Sequence, residues 1–322
     1  MRINISTPHK MLFSGSYTVL DGHESLTLAC GPRLSLAFDT SETLEYQENP
    51  FARAVQEVLQ ETHQGSQAFT YPAFVTEVSE STAGWGVGSS ASFTTSLTTA
   101  LLLANHQKLD KKEIFALTRR AHRKAQGGKG SGTDIAACTF GGLVHVSQAQ
   151  GDATPKVQAQ EWPEDLGVLL IRSGNKADTR QLIQKYQEQS QKHQEPEQLT
   201  LLEAVQDVCK AFAQKASNAS ILSALQHNAD RESIWSQHLG LVFVTPLQQE
   251  LQQAFLPLSK EKHVVLKALG GGGGDSIGCF FDKTTTTLEE LQRYLEPFSL
   301  PSRLVQIEQQ GAHNTFDEES LK

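Results

Sequence analysis

A glycine-rich stretch at residues 84–92 constrains this chain more than any other feature. It reads Gly-Trp-Gly-Val-Gly-Ser-Ser-Ala-Ser, so three alternating glycines lead into two adjacent serines. Glycine lets the backbone turn tightly and approach a ligand, and free N–H groups at a helix start favour an anion. Residues 92–105 lack Pro and Gly, which predicts a helix beginning near Ser89. The pattern is typical of a phosphate-binding loop, although a tight turn before an ordinary core helix has the same composition.

Two further segments lie towards the ends of the chain. Near the N-terminus, Pro8 and Lys10 open an apolar strand, and a turn containing Gly15 follows it. Near the C-terminus, residues 267–275 read Lys-Ala-Leu, five glycines and Asp. Glycines between such short apolar segments favour close contact with a bound phosphate, with Asp275 holding the turn. A flexible hairpin is the alternative.

In this order, the three segments resemble the signature motifs of the GHMP kinase superfamily. A fourth segment, residues 121–142, contains Gly-Ser-Gly-x-Asp and is similar to the corresponding stretch of the phosphomevalonate kinase branch. The resemblance covers most of the chain. It departs from the pattern at Ser16, where many relatives have Glu, and at residues 81–83, where an expected Pro is absent.

The resemblance implies an α+β fold of two domains. Residues 1–160 would form an N-terminal mixed α/β domain carrying the ATP phosphate loop, and residues 161–322 a ferredoxin-like C-terminal domain. The polar stretch 148–164 has the composition of a long hairpin or an inter-domain connection. Apolar patterning predicts strands at residues 2–6, 10–17, 25–30, 34–39, 69–77, 143–147, 166–171, 263–269, 276–282 and 302–308. It predicts helices at residues 52–61, 89–105, 111–124, 134–140, 178–191, 197–217, 221–226, 233–239, 245–254 and 287–295.

Asp134 is the candidate catalytic carboxylate, because it sits in the Gly-Ser-Gly-x-Asp context of the family. It would accept or orient the proton of a substrate phosphate as that oxygen attacks the γ-phosphorus of ATP. A capping or first-turn position in the following helix is the alternative. Lys10 is the second catalytic candidate, since an ammonium near the transferring group neutralises charge there. A solvated lysine at a strand start is the alternative for Lys10.

The resemblance also implies binding residues. The ATP phosphates would lie on Gly84, Gly86, Val87, Gly88, Ser89, Ser90 and Ala91. Ser89 or Ser90 would reach Mg²⁺, unless they only cap the helix. The substrate would contact Lys129, Ser131, Gly271, Gly272 and Gly273. Substrate contact and plain surface are equally open for Ser173, Asn175, Lys176, Thr179 and Arg180. Lys129 is the first choice for a substrate phosphate among four neighbouring residues, and a solvated helix end is the alternative for His122, Arg123 and Lys124. Trp85 would stack against adenine or simply pack.

Global properties exclude several classes of protein. A net charge of −8 over 322 residues argues against broad nucleic-acid or anionic-membrane binding. The chain has no apolar run long enough for a membrane span and no signal-peptide core, so the cytoplasm is the expected location. Its four cysteines are widely scattered, which predicts buried, reduced thiols rather than a zinc or disulfide framework.

Together these features imply a small-molecule kinase that uses ATP and Mg²⁺. The resemblance favours conversion of 5-phosphomevalonate to 5-diphosphomevalonate, in the mevalonate route to isoprenoids. Phosphorylation of mevalonate or another small molecule is the enzymatic alternative, and a non-catalytic ligand sensor on the same fold is the other. Gly-x-x-x-x-Gly-Lys-[Ser/Thr], His-Arg-Asp and Asp-Phe-Gly motifs are absent, which excludes P-loop and protein kinases. The sequence does not decide between a monomer and a homodimer.

Overall fold

The computed structural model describes residues 2–43, 48–63, 72–78, 85–128, 130–147, 154–174, 179–190 and 196–315. Four residues singled out from the sequence lie outside these ranges, namely Gly84, Lys129, Asn175 and Lys176. The side chains of Thr179 and Arg180 are likewise outside the described part of the chain. Among the described residues, no helix combines the length and the hydrophobicity that a membrane crossing requires.

The described strands form two antiparallel sheets. In chain order they are β1 (Arg2–Ser14), β2 (Ser25–Thr43), β3 (Pro72–Val78), β4 (Leu143–Ser147), β5 (Lys156–Gln160), β6 (Leu166–Arg172), β7 (Val265–Ala268), β8 (Ser276–Asp282), β9 (Ser302–Leu304) and β10 (His313–Asn314). The first sheet has the order β10-β1-β2-β4-β5, with β3 also paired to β2, and the second has the order β7-β8-β6-β9.

Ten α-helices pack on these sheets within the described ranges. They are α1 (Pro50–Thr62), α2 (Ser89–Ala104), α3 (Lys111–Ala125), α4 (Thr133–Phe140), α5 (Thr179–Ser190), α6 (Pro196–Ala213), α7 (Asn218–His238), α8 (Pro246–Ala254), α9 (Leu256–Lys262) and α10 (Leu288–Leu295). Strands and helices therefore alternate as β6, helices, β7, β8, α10, β9, which is the ferredoxin-like βαββαβ pattern.

Helix α2 crosses the core of the first half and is buried over most of its length. Four of its threonines sit in this apolar surrounding, and each hydroxyl donates to the carbonyl one turn earlier in the same helix. These are Thr94, Thr95, Thr98 and Thr99. Because every hydroxyl finds a partner inside the helix, their burial leaves no polar group unsatisfied.

Two predicted strand pairs are single strands in the structure. β1 runs through Pro8 and β2 runs through Pro32, and their ladder absorbs the irregularity as a register shift between Thr7 and His9. Proline lacks the N–H that a ladder requires, so its local signal predicted a break that a bulge avoids. The strand predicted to reach residue 17 ends at Ser14, because Gly15 turns the chain at a φ of 89°.

The second half differs from the prediction at helix boundaries. The two short helices predicted at residues 221–226 and 233–239 are one helix, α7, which continues through the polar residues between them. Two of these polar residues, Asn228 and Glu232, are buried, so this segment packs on the core like the apolar turns on either side of it. Helix α6 ends earlier than predicted, at Ala213, and α9 was not predicted. The polar stretch 148–164 contains β5, which pairs with β4 as a hairpin.

The two sheets share a hydrophobic core. Alternate residues of β6 point to opposite faces, so Val168 and Leu170 pack with α6 and α7 while Leu169 and Ile171 pack with α8, α9 and α10. Phe13 of β1 belongs to the same cluster as Val168. The division predicted between residues 160 and 161 falls between strands of different sheets, and it stays a prediction as a domain boundary. β10 returns from the end of the chain to pair with β1.

Candidate active site

The glycine loop is attached to strand β1 beside Lys10. The Lys10 backbone N–H donates to the Val87 carbonyl at 3.0 Å, and the lysine side chain runs along Gly88. A Cβ at Gly88 would lie 2.2 Å from Lys10 Cε, and Gly88 has a φ of +74°. The backbone conformation therefore favours glycine at this position, and a Cβ there would displace the Lys10 side chain.

Two helix N-termini meet at this lysine. Helix α2 begins after Gly88 and helix α4 after Gly132, and neither N-cap residue offers a side-chain hydrogen bond. Lys10 Nζ lies 3.0 Å from Oδ2 of Asp134, which stands in the first turn of α4. Uncapped helix N-termini and an ammonium together form a local positive field, so this is where the acidic chain can hold an anion.

Glycines take the cap position at both helix starts. Ser89 is the first residue of α2 rather than its cap, and Gly88 is the cap. Gly132 is the cap of α4, and Asp134 stands in the first turn, which is one of the two positions that the alternative to a catalytic role named. The Lys10 side chain is 9% exposed and that of Asp134 33% exposed, so the carboxylate faces solvent from beside a buried ammonium.

His122 contacts the serine that follows the glycine loop. Its Nε2 lies 3.3 Å from Ser90 Oγ, and its ring lies 5.2 Å from the ring of Phe51, centroid to centroid. Burial lowers the pKa of His122 to about 4, although the negative charge of Asp134 raises it in part. The imidazole is therefore neutral at neutral pH, and its Nε2 can form a hydrogen bond with the Ser90 hydroxyl as donor or as acceptor.

A solvated helix end was one of the two alternatives for His122, but the residue is buried. The burial of His122 could have been predicted from its spacing in the sequence. Thr118 and Arg119 precede it by four and three residues, and both are buried on the same side of α3, which is the spacing of one helix face. Arg119 lies under the start of α4, where a Cβ on Gly132 would come within 2.8 Å of Arg119 Cδ.

The five-glycine turn is held by hydrogen bonds on several sides, which favours a fixed turn over the flexible-hairpin alternative. Tyr17 Oη donates to the Gly271 carbonyl at 2.5 Å, and the Gly270 N–H donates to the Leu12 carbonyl at 2.9 Å. On the other side, the Gly273 N–H donates to the Phe243 carbonyl at 2.9 Å. These bonds fix the path of the turn against β1.

The two glycine-rich turns touch each other. A Cβ on Gly86 would lie 2.8 Å from Asp275 Cβ, and Ser276 Oγ donates to the Trp85 carbonyl at 2.8 Å. The Arg303 guanidinium carbon lies 4.3 Å from the centroid of the Trp85 ring. One face of Trp85 is therefore covered by Arg303, and the ring packs against the shared core, which favours the packing alternative over stacking on adenine.

Three other candidate binding residues named from the sequence make contacts within the protein. Lys124 Nζ lies 2.8 Å from both Glu57 Oε2 and Glu61 Oε1 of α1, so this lysine pairs within the protein. Arg123 donates to the Gly128 carbonyl at 3.1 Å. Ser131 Oγ accepts the Thr133 N–H at 3.3 Å and so remains at the start of α4.

Ser173 lies near the glycine turn, because its N–H donates to the Asp275 carbonyl at 2.9 Å. The structure therefore brings together Lys10, the loop and helix start at residues 85–91, Asp134 and the glycine turn. It does not bring Lys124 to this site.

Comparison with known proteins shows which family the chain resembles. Residues 49–142, which span α1 to α4, match the family model described as the GHMP kinases N terminal domain. The chain contains a GHMP kinase N-terminal domain. A curated relative, phosphomevalonate kinase of Saccharolobus solfataricus, is 28% identical over 298 residues, covering 85% of this chain and 89% of that protein.

Solved structures share the whole GHMP kinase fold. A protein of Listeria innocua superposes with a TM-score of 0.82 at 19% identity, over 98% of this chain and 99% of that one. Streptococcus pneumoniae phosphomevalonate kinase, in complex with phosphomevalonate and AMPPNP, superposes with a TM-score of 0.78 at 18% identity, over 94% and 99%. These likenesses confirm the predicted mixed α/β fold of the GHMP kinases.

Proposed function

We propose that this protein transfers the γ-phosphoryl group of ATP to 5-phosphomevalonate, forming 5-diphosphomevalonate and ADP. The observation that carries the proposal is the 3.0 Å pair of Lys10 and Asp134 between two uncapped helix N-termini. The 28% identity to a phosphomevalonate kinase supports this choice of substrate, and so does the phosphomevalonate-bound structural neighbour.

The ATP phosphates would lie on the loop that leads into α2. Glycine at residues 86 and 88 keeps side chains out of the way, and both adopt positive φ. The Ala91 N–H donates to the Gly88 carbonyl at 3.1 Å. The N–H groups of Ser89 and Ser90 precede this first helical bond, so they can bind phosphate oxygens. The residues proposed for this role are Gly84, Gly86, Val87, Gly88, Ser89, Ser90 and Ala91.

The side chains at the start of α2 and α4 fit a magnesium ion. Mg²⁺ takes oxygen ligands, and Ser89, Ser90 and Asp134 offer hydroxyl and carboxylate oxygens at the two helix starts. A bound Mg²⁺ would neutralise the negative charge that develops on the phosphates during transfer. Ser90 is steadied by His122, whereas Ser89 is exposed.

Lys10 and Asp134 would have different roles in phosphoryl transfer, because one side chain is a cation and the other an anion. A phosphate oxygen of the substrate forms a bond to the γ-phosphorus as the bond to the β–γ bridging oxygen breaks, and its electron pair leaves with ADP. Lys10 stabilises the negative charge spread over the phosphoryl oxygens. Asp134 orients the substrate phosphate and accepts its proton if one is present.

The substrate would bind between α4 and the glycine turn. Its phosphate is proposed to contact Lys129 and Ser131, and its other end Gly271, Gly272 and Gly273. Tyr17 and Phe243 hold that turn in place, so the backbone would be preorganised before the substrate arrives.

A substrate panel tests the proposal. ADP release is measured with Mg·ATP and phosphomevalonate, mevalonate or several phosphosugars, for the parent protein and for Lys10→Met. Turnover on phosphomevalonate, with a large loss of kcat in Lys10→Met, is the expected result. Lys260→Met is the matched control, because Lys260 is exposed on α9 and should leave kcat unchanged.

Other outcomes would assign another function. Turnover on mevalonate alone would make the protein an alcohol kinase of the same fold. ATP binding without turnover on any substrate would indicate the non-catalytic ligand sensor. Unchanged kcat in Lys10→Met would remove that residue from the mechanism.

A further inference from the structure

Three side chains with different metal-binding atoms meet where helix α6 packs on the first sheet. They are Glu24, which immediately precedes β2, His145 of β4 and Cys209 of α6. One carboxylate oxygen, one imidazole nitrogen and the sulfur all lie within 4.8 Å of one another. None of the three belongs to the residues proposed for phosphoryl transfer.

The sheet register explains why Glu24 and His145 meet. Leu26 of β2 stands directly opposite His145 of β4, so these two side chains share one face of the sheet. Glu24 lies two residues before Leu26 and therefore points to the same face, diagonal to His145. Side chains at diagonal positions of an antiparallel pair are close enough to interact.

Helix packing brings the thiol to the same face. Val205, Val208 and Phe212 of α6 are buried in the cluster that also contains Leu26 of the sheet. Cys209 follows Val205 by one helical turn and is 5% exposed. It therefore lies on the side of α6 that faces Glu24 and His145.

The imidazole nitrogen in this cluster has no hydrogen-bond partner among the described residues. His145 Nε2 is buried, and it lies 3.6 Å from Glu24 Oε2, which is too long for a hydrogen bond. Two ligands of one tetrahedral zinc ion stand about 3.3 Å apart, since Zn–N and Zn–O bonds are each about 2 Å. The separation in the structure is close to that value.

We propose that Glu24, His145 and Cys209 bind one Zn²⁺ ion. Thiolate, imidazole and carboxylate are the ligands that zinc uses, and three protein ligands leave a fourth position for water. The Glu24 side chain is 38% exposed, so the site opens to solvent on that side. Binding breaks the S–H bond of Cys209, forms a Zn–S bond and releases one proton to water.

Such an ion would join the first sheet to α6. Its ligands come from three segments that the sequence separates widely, which is why cysteine spacing alone predicted no zinc site. The site is also chemically distinct from the one proposed for Mg²⁺, because Mg²⁺ prefers oxygen ligands and does not select a thiolate.

Cobalt substitution tests the proposal directly. Protein purified without a histidine tag and stripped of metal is titrated with Co²⁺, and absorption is followed for thiolate-to-cobalt charge transfer and tetrahedral d–d bands. We expect saturation at one equivalent, displacement by Zn²⁺ and no displacement by excess Mg²⁺. Cys209→Ser should abolish the charge-transfer band. His145→Gln should weaken Co²⁺ binding by more than the roughly 10- to 100-fold that loss of a residue supporting a ligand costs.

Cys279→Ser is the matched control, because Cys279 is a buried thiol of β8 and its loss should leave the spectrum unchanged. A charge-transfer band that survives Cys209→Ser would overturn the proposal, and so would the absence of any band in the parent protein.

A measurement on the unmodified chain covers the case in which a variant does not fold. Alkylation of each cysteine is followed by mass spectrometry with and without Zn²⁺. Zinc should slow the alkylation of Cys209 and leave that of Cys279 unchanged. Equal rates at Cys209 in both conditions would overturn the zinc site.

Discussion

The Lys10 ammonium lies 3.0 Å from the Asp134 carboxylate and joins β1 to the first turn of α4. The same lysine holds the glycine loop through its backbone bond to Val87. Strand, loop and helix are thus positioned by one residue, and displacement of any of them should disturb the others.

Asp134→Asn tests the carboxylate. The substitution keeps the size of the side chain and removes its charge, so kcat should fall by about 100-fold, the lower end of the usual range for general acid–base catalysis. The fall in kcat is expected to be smaller than in a kinase that phosphorylates an alcohol, because a phosphate nucleophile needs less help from a base. Steady-state kinetics with saturating Mg·ATP measure it, and Asp165→Asn, at an exposed turn, is the control. A fall confined to KM for ATP would contradict the role in the chemical step.

Gly88→Ala tests the contact between the loop and Lys10. A Cβ there would lie 2.2 Å from Lys10 Cε, whereas Gly174, at a similar positive φ, has nothing within 4 Å of a built Cβ. Both alanines carry the left-handed backbone strain of about 1–2 kcal/mol. Only Gly88→Ala adds a clash, so it should lower the urea midpoint more than Gly174→Ala does. Equal losses in the two variants would mean that Lys10 moves aside freely.

His122 should make stability depend on pH. Burial lowers its pKa to about 4 from an ordinary value of 6.5, so the unfolded chain takes up this proton first as the pH falls. Its contribution to stability is complete above about pH 6.5 and is lost as the pH falls towards 4, by about 3 kcal/mol in all. Burial lowers the pKa of His9 as well, and this adds a loss in the same direction.

Unfolding by urea at several pH values measures the effect. His122→Gln should flatten the dependence between pH 6.5 and 4 and leave the part due to His9. His238→Gln is the control, since His238 is exposed at the end of α7. Parallel pH profiles for the parent and His122→Gln would show that His122 is not the residue responsible.

Lys267 and Glu232 form a fully buried ion pair between β7 and α7. Burial lowers the pKa of Lys267 and raises that of Glu232, and in each case the partner's charge opposes the shift. Lys267→Met would leave a buried carboxylate unpaired and should cost about 3–5 kcal/mol. Adding Glu232→Leu should recover most of that loss, because an apolar pair needs no charge compensation.

Denaturant unfolding of the single and double variants measures this coupling. Lys215→Met is the control, since Lys215 pairs with Glu161 on the surface and its loss should barely shift the midpoint. A double variant as unstable as Lys267→Met alone would show that packing, rather than the unpaired charge, causes the loss.

Local patterns predicted most of the elements. The apolar run of β6, the Ala- and Leu-rich α2 and the 3–4 spacing of α3 each carry their own signal, because burial of one face or of a whole segment follows from composition. Breaks at Pro8 and Pro32 were wrongly predicted, since a bulge within a long antiparallel ladder accommodates what a short strand does not.

The sequence by itself determined the types of group available: two glycine-rich segments, a lysine and an aspartate in family-like contexts, and the order of the motifs. Only the tertiary structure decided which groups meet, as when Asp275 packs on Gly86, His122 supports Ser90, and Glu24, His145 and Cys209 converge. The physical reason is the distance along the chain over which each kind of interaction acts. Propensity and periodicity act over a few residues, whereas these contacts depend on strand register and helix packing between segments far apart in the chain.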